Sequence, residues 1–413
     1  MKLVKVIIFL IFGLFYQINL GQERDDIILN LDFSIGKTSP PNFNFPELNL
    51  QKSLIIGFGK TNFNPDLEWA KQLNYPETGI TFSYTDFGNN LVLGQAISIT
   101  PYLDLKIFNK RTQKINLKTE LGFSYFNKTF DAIDNPINKA ISSNFTWAFR
   151  MSLYYKILEK ENYNLKLGMG YFHNSNGHLR LPNNGLNVFT VNLASQIGLK
   201  KNEIVFSKVD SINNKNSENH QKYYLIRFGL GQKVFSQNDI SKKEVYVLAA
   251  SKGIIVNKTF RFGYGFCYRF YKDYYDFVKN DSYLLTKNNS KLLASNFALF
   301  ANSEILLSHF GIELEFGVNL YKPIYKYDYE LNNGKIKNGI YEKPELDWYY
   351  DIKKTISSRL GLKYYLLNTN KYQNNNFFIG GFINANFGQA DFSELTFGYV
   401  YCLNSKTKKD NHF

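Results

Sequence analysis

The stretch FRFGYGFCYRF, residues 260–270, decides the fold class of this chain. Every even position from Phe260 to Phe270 is aromatic, whereas the odd positions carry Arg, Gly and Cys. Because side chains alternate between the two faces of a β-strand, this stretch predicts a strand with one apolar and one polar face. An apolar face this long and this aromatic needs a cover, and lipid supplies one around a membrane barrel.

The same period of two recurs along the chain in segments separated by turns rich in Asn, Lys, Asp and Gly. Residues 115–125, 312–320 and 394–403 all alternate in this way. We therefore predict an all-β protein, a transmembrane antiparallel β-barrel of about 14–16 strands. The expected strands are 27–38, 53–63, 78–88, 96–109, 115–127, 144–159, 163–175 and 186–200, with eight more between Lys222 and Leu403.

The N-terminus predicts export. Lys2 and Lys5 precede an apolar run at 6–15, and the small residue Gly21 precedes a polar stretch, as in a signal peptide covering residues 1–21. Beyond it, no apolar stretch approaches the roughly eighteen residues of a membrane-spanning helix. We expect a single outer-membrane barrel over residues 22–403, without a linker that divides it, and a polar tail at 404–413.

The lengths of the connections predict the orientation of the barrel. The longer ones, at about 128–143, 275–293 and 323–350, should be extracellular, and both termini should be periplasmic.

The composition of the chain limits the kinds of partner and cofactor that we expect. The net charge of +14 suits attraction to anionic lipid phosphates, although the Lys- and Asn-rich composition of an AT-rich genome explains it equally well. Export separates the chain from nucleic acid, so no nucleic-acid partner is expected. Cys267 and Cys402 are too few for a disulfide framework, and the five histidines form no HExxH pattern. We therefore expect neither a cofactor nor a metal.

A polar pair stands out on the predicted strand 163–175. Its odd residues up to Tyr171 form the apolar, lipid-facing series, and His173 and Ser175 continue it. Polar side chains on a lipid-facing surface are costly and therefore indicate a function. Residues i and i+2 of a strand lie roughly 6–7 Å apart on one face, within reach of a Ser–His contact. In the next strand Asn187 shares the outward face with Phe189.

These three residue types suit nucleophilic catalysis. A serine is a weak nucleophile until a histidine takes its proton, and a third group holds the imidazole in the right tautomer. Ser175, His173 and Asn187 are the candidates, with Asp131 or Asp134 as alternative third members. The competing interpretation is the ordinary end of a strand that enters a polar loop.

The motif His173-Asn174-Ser175-Asn176-Gly177, followed by PNNGLN at 182–187, resembles the signature of the lipid A deacylase (PagL) family. The family includes acyloxyacyl-hydrolase-like members. The resemblance extends over about residues 65–200, with a weaker echo at 390–392. Further matching segments are Trp69, Tyr75-Pro76, Asp86-Phe87-Gly88-Asn89 and Asn135-Pro136-Ile137-Asn138.

The resemblance implies an outer-membrane serine esterase that removes an acyl chain from lipid A or lipopolysaccharide near the outer leaflet. Ser175 would be the nucleophile and His173 the base, and Asn176, Asn183 and Gly177 would be oxyanion or loop-ordering candidates. The best-known deacylases carry Glu where this chain has Asn187.

Two alternatives stay open. A Ser-His-Asn set is also similar to outer-membrane phospholipase A, a calcium-dependent homodimer, which implies phospholipid acyl chains as substrate. That enzyme has Arg after the motif glycine, where this chain has His178. The second alternative is a non-catalytic porin-like or structural surface barrel, because sixteen strands in one barrel would enclose a lumen.

Overall fold

The structure, a computed structural model, describes residues 26–41, 45, 47–107, 114–198, 220–237, 241–281, 289–337, 340–371 and 373–403. The predicted signal peptide and the predicted polar tail lie outside the described residues. No helix in the described ranges is long and apolar enough to cross a membrane.

The first barrel contains eight antiparallel strands and closes where β8 pairs with β1. Its strands are β1 (Asp26–Ser39), β2 (Gln51–Thr61), β3 (Glu77–Asp86), β4 (Gln95–Ile107), β5 (Ile115–Phe126), β6 (Phe145–Lys160), β7 (Tyr163–Ser175) and β8 (Leu186–Gly198). A short helix, α1 (Glu68–Gln72), lies between β2 and β3.

The second barrel also contains eight antiparallel strands and closes where β18 pairs with β9. Its strands are β9 (His220–Lys233), β10 (Lys243–Val256), β11 (Phe260–Tyr271), β12 (Ser295–Leu307), β13 (Phe310–Tyr321), β16 (Ile356–Tyr365), β17 (Asn375–Asn386) and β18 (Gln389–Cys402). Its connections hold α2 (Lys272–Asn280), α3 (Ser290–Leu293), α4 (Tyr325–Asn333), the hairpin β14 (Lys335–Lys337) and β15 (Ile340–Glu342), and α5 (Trp348–Thr355).

The predicted all-β class, the antiparallel pairing and the total of sixteen barrel strands are confirmed. The single barrel over residues 22–403 is wrong, because β8 bonds back to β1, with Leu193 opposite Phe33, instead of continuing the sheet toward β9. Alternation of side chains fixes where the strands are and which face is apolar. It does not fix which strand closes the barrel.

Both barrel interiors are filled by paired polar side chains. In the first barrel Arg150 contacts Glu120 at 3.1 Å, and in the second Lys363 contacts Glu304 at 2.9 Å. An eight-stranded barrel is only wide enough for its own inward side chains. Outward residues such as Met169 in the first barrel and Phe316 in the second are exposed, which gives each wall its apolar surface.

The two barrels stand side by side in the same orientation. The connections 127–144, 272–294 and 322–355 all lie at one end, here called the upper end, as the predicted loop asymmetry requires. At the lower end Trp69 Nε1 donates a hydrogen bond to Ser308 Oγ at 2.9 Å. At the upper end Trp147 Nε1 donates to Ser393 Oγ at 3.1 Å, so the walls meet at both ends.

Candidate functional site

The upper ends of β7 and β8 bring two of the predicted residues together. His173 lies directly opposite Asn187 in the antiparallel register. Below this pair, Met169 and Phe189 project outward and are exposed. The site therefore lies on the outer wall of the first barrel.

Asn187 orients the imidazole. Its Oδ1 lies 2.7 Å from His173 Nδ1 and also accepts a hydrogen bond from the Tyr171 hydroxyl at 2.6 Å. An amide oxygen only accepts, so Nδ1 carries the proton and Nε2 is left as the acceptor. The alternative third member Asp131 is occupied within its own loop, where its carboxylate accepts from the Ile133 and Asp134 N–H groups.

The Ser175 hydroxyl is held by the loop that follows β7. Its Oγ accepts hydrogen bonds from Asn183 Nδ2 at 2.9 Å and from the Gly177 N–H at 3.3 Å. Among the hydrogen bonds of the described ranges, none joins Ser175 to His173. The structure thus joins His173 to Asn187, whereas the Ser175 oxygen lies among hydrogen-bond donors.

The three loop candidates have different roles. The Asn176 side chain donates to Ser142 Oγ at 3.0 Å and to the Arg180 carbonyl at 2.8 Å. Its backbone N–H donates to Asn183 Oδ1 at 3.0 Å. Asn176 therefore orders the loop, while Asn183 and the Gly177 N–H face the serine oxygen.

Gly185 gives the imidazole its space. Its φ of +73° is a conformation that side-chain-bearing residues rarely adopt, and an added Cβ would lie 3.0 Å from His173 Cε1. A larger residue at position 185 would crowd the His173 imidazole.

Sequence reasoning missed Trp147 of β6 and Ser393 of β18. Trp147 is the register partner of Ser175, and its indole contacts Phe123 with ring centroids 4.8 Å apart. The outward alternation of β6 could have identified Trp147. No sequence pattern could have identified Ser393, because it reaches the site from the second barrel.

His178, in the same loop, is buried against the second barrel. Its carbonyl accepts a hydrogen bond from the Val234 N–H at 3.1 Å. Burial, together with the nearby Lys233 ammonium, lowers the pKa of His178 to about 4, against the opposing charges of Asp328 and Asp391. In the part of the chain that the structure describes, no group of three or more His, Cys, Asp or Glu could hold a metal.

Fold and site together define a β-barrel protein with a Ser/His/Asn group on the outer wall of one barrel. Residues 57–196 match the family model described as Lipid A 3-O-deacylase (PagL). The matched segment lies within the first barrel, and the resemblance to this family predicted from the sequence is confirmed. The match ends within β8 and includes none of the second barrel.

Several solved structures are similar to this chain. The outer membrane enzyme PagL is 15% identical over 40% of this chain and 97% of its own, with a TM-score of 0.29. A de novo designed transmembrane β-barrel is 12% identical over 41% and 95%, with a TM-score of 0.22. CdiB from Acinetobacter baumannii is 9% identical over 92% and 60%, with a TM-score of 0.17. No curated protein matches the sequence significantly.

Proposed function

We propose that this chain is an outer-membrane ester hydrolase that removes an ester-linked acyl chain from lipid A or lipopolysaccharide. Ser175 is the nucleophile, His173 the general base, and Asn187 the group that orients the base. The observation that carries the proposal is the 2.7 Å contact between His173 Nδ1 and Asn187 Oδ1 on the outward wall of the PagL domain. It leaves Nε2 as the acceptor that general-base catalysis requires.

The reaction has two steps. Ser175 Oγ attacks the ester carbonyl carbon while His173 Nε2 takes the hydroxyl proton. The bond from that carbon to the alcohol oxygen breaks, and the imidazolium returns the proton to the leaving alkoxide. Water then attacks the acyl-enzyme, gives one proton to His173, and releases the fatty acid as Ser175 regains its hydrogen.

Donors already surround the oxygen that must react. Asn183 Nδ2 and the Gly177 N–H contact Ser175 Oγ at 2.9 Å and 3.3 Å. When Ser175 rotates toward His173, these two donors are free to bind the oxyanion that develops one bond away. Asn183 and Gly177 therefore supply the oxyanion contacts, and Asn176 keeps their loop in place.

The surroundings suit a substrate that stays in the bilayer. Below the site the outward residues Met169, Phe189 and Val191 are all exposed, which provides an apolar wall for an acyl chain. The site lies at the end that carries the long loops, which in outer-membrane barrels is the extracellular end. We therefore infer that the substrate is a lipid of the outer leaflet.

Phospholipase A activity is the second candidate, and the amide at Asn187 favours it. The porin-like alternative loses its physical basis, because the chain forms two eight-stranded barrels filled by side chains such as Arg150 and Lys363.

The test is mass spectrometry of lipids incubated with the purified full-length protein. We expect lipid A to lose the mass of one acyl chain, and Ser175→Ala to lower the rate at least about a thousandfold. The matched control is Ser195→Ala, which changes another outward serine of the same barrel. Release from phospholipid that stops with a calcium chelator would indicate the second candidate, and full activity of Ser175→Ala would refute the site.

A further inference from the structure

We propose that the second barrel is a working part of the candidate site, in which Ser393 of β18 positions Trp147 and the turn Ser175–Gly177. Hydrolysis by the first barrel would then depend on a residue outside the matched PagL domain. The inference rests on the proposed function, and it names the partner that completes the site as the chain's own second barrel.

Ser393 makes two hydrogen bonds across the boundary between the barrels. Its Oγ accepts from Trp147 Nε1 at 3.1 Å and donates to the Gly177 carbonyl at 3.4 Å. Gly177 in turn donates its N–H to Ser175 Oγ. One residue, Gly177, therefore links the second barrel to the oxygen proposed as nucleophile.

Trp147 forms one side of the site. In an antiparallel pair, residues directly opposite each other have Cβ atoms about 4.5–5.5 Å apart, which places the Trp147 side chain beside Ser175. The far edge of the indole reaches β17, where a Cβ added to Gly381 would lie 3.4 Å from Trp147 Cη2. Ser175 is correspondingly buried, at 5% exposure.

A second link anchors the same loop. The His178 carbonyl accepts from the Val234 N–H at 3.1 Å, just after β9 of the second barrel. The loop that holds Asn183 is therefore attached to the second barrel through both Gly177 and His178. The β6 side of the site is closed by Trp147, which leaves the exposed wall near Phe189 as the approach for an acyl chain.

The lower end of the boundary provides a matched control. There Trp69 Nε1 donates to Ser308 Oγ at 2.9 Å, again from a tryptophan of the first barrel to a serine of the second. Ser308→Ala removes the same kind of contact as Ser393→Ala, at the opposite end of the wall from Ser175. Comparing these two variants distinguishes the effect of losing an inter-barrel hydrogen bond from the effect of misplacing the site.

The experiment measures kcat and KM for acyl release by the full-length protein. We expect Ser393→Ala to lower kcat about tenfold and to change KM less than about twofold, since a misplaced turn affects the reacting geometry. Ser393→Thr keeps the hydroxyl and should restore most of kcat, and Ser308→Ala should resemble the wild type. Equal losses in Ser393→Ala and Ser308→Ala would overturn the inference.

A double-mutant cycle tests the route through the indole. Trp147→Phe keeps an aromatic ring but removes the Nε1 donor. If Ser393 acts partly through this donor, the double variant should lose less than the product of the two single losses. Multiplicative losses would refute that route.

A spectroscopic measurement separates failure of this inference from failure of the proposed function. In a Trp69→Phe, Trp348→Phe background, Trp147 is the one remaining tryptophan of the three in the sequence. Ser393→Ala should then raise acrylamide quenching of its fluorescence, whereas Ser195→Ala, which changes an outward serine near the lower end of the first barrel, should not. If the wild type releases no fatty acid from any lipid, the proposed function fails, but increased quenching would still support the Ser393 contact. Unchanged quenching would overturn it.

Discussion

The two barrels share strand number and pairing, but the Ser/His/Asn group described above lies on the outer wall of the first. The seventh strand of the first barrel, β7, ends with His173 and Ser175 facing outward. The seventh strand of the second barrel, β17, carries Ile383 and Ala385 at the corresponding outward positions. The eight-stranded architecture alone therefore does not determine the chemistry. The chemistry depends on a few side chains at the end of one strand.

The interiors differ as well. In the first barrel Arg150 has one carboxylate partner, Glu120, and its Nη2 has no hydrogen-bond partner among the described residues. In the second, Arg359 bonds to Glu313 at 2.5 Å and to Glu394 at 3.3 Å. Of these two arginines, the one in the second barrel is therefore the more fully paired.

The largest expected effect compares one histidine from each barrel. His173→Gln should lower kcat about a thousandfold, equivalent to about 4 kcal/mol of activation free energy, because it removes the proposed base. His309→Gln, in the β12–β13 turn of the second barrel, should leave kcat unchanged, since the His309 ring lies at the lower end, where it contacts the Tyr365 carbonyl at 2.9 Å and the Tyr364 ring. Initial rates of fatty-acid release measure both.

Native-gel mobility of both histidine variants shows whether the barrels have folded. Comparable rates for the two variants would mean that the outer wall of the first barrel is not the site.

The next effect tests the contrast between the interiors. Arg359→Met should lower the free energy of unfolding by about 3 kcal/mol or more, because two buried carboxylates, Glu313 and Glu394, each lose one of their cationic partners. Arg150→Met should cost less, since it removes a cation from one buried carboxylate, Glu120, instead of two. Urea unfolding in lipid vesicles, followed by circular dichroism, measures both values. Equal losses would show that the second interior is no more tightly paired than the first.

Much of the fold could be predicted from the sequence, because a period of two defines a strand locally. The predicted strand 163–175 coincides with β7, and 115–127 differs from β5 by one residue. Closure of the barrel could not be predicted in this way. Whether β8 meets β1 or β9 is decided by contacts between distant strands, and a strand with one apolar face is compatible with either arrangement.

The site could be predicted in part, for the same reason. Alternation in two adjacent strands predicts that His173 and Asn187 point to the same outer face. The structure places them opposite each other. The orientation of the Ser175 hydroxyl toward Asn183 depends on a loop conformation that alternation does not determine. The contact of Ser393 with the site depends on how one barrel packs against the other. A local sequence pattern carries no information about that packing.

The smallest effect concerns His178, where the barrels meet. Burial holds its pKa at about 4, below the ordinary 6.5, so the unfolded chain binds the proton more readily. The stabilising contribution of the neutral imidazole is therefore present above pH 6.5 and is lost as the pH falls toward 4. Asp273, whose pKa burial raises to about 6, acts with the opposite sign as the pH rises from 3.8 to 6.

A variant separates these two contributions. Asn at position 178 cannot titrate, and its amide can replace the ring N–H that donates to the Ala390 carbonyl. Between pH 7.5 and pH 5.5 the wild type should lose about 1 kcal/mol more unfolding free energy than His178→Asn, while Asp273 titrates in both and cancels. Urea unfolding at the two pH values measures the difference. Identical pH dependence would mean that His178 is not sealed between the barrels, and the attachment of the site loop to the second barrel would lose one of its two supports.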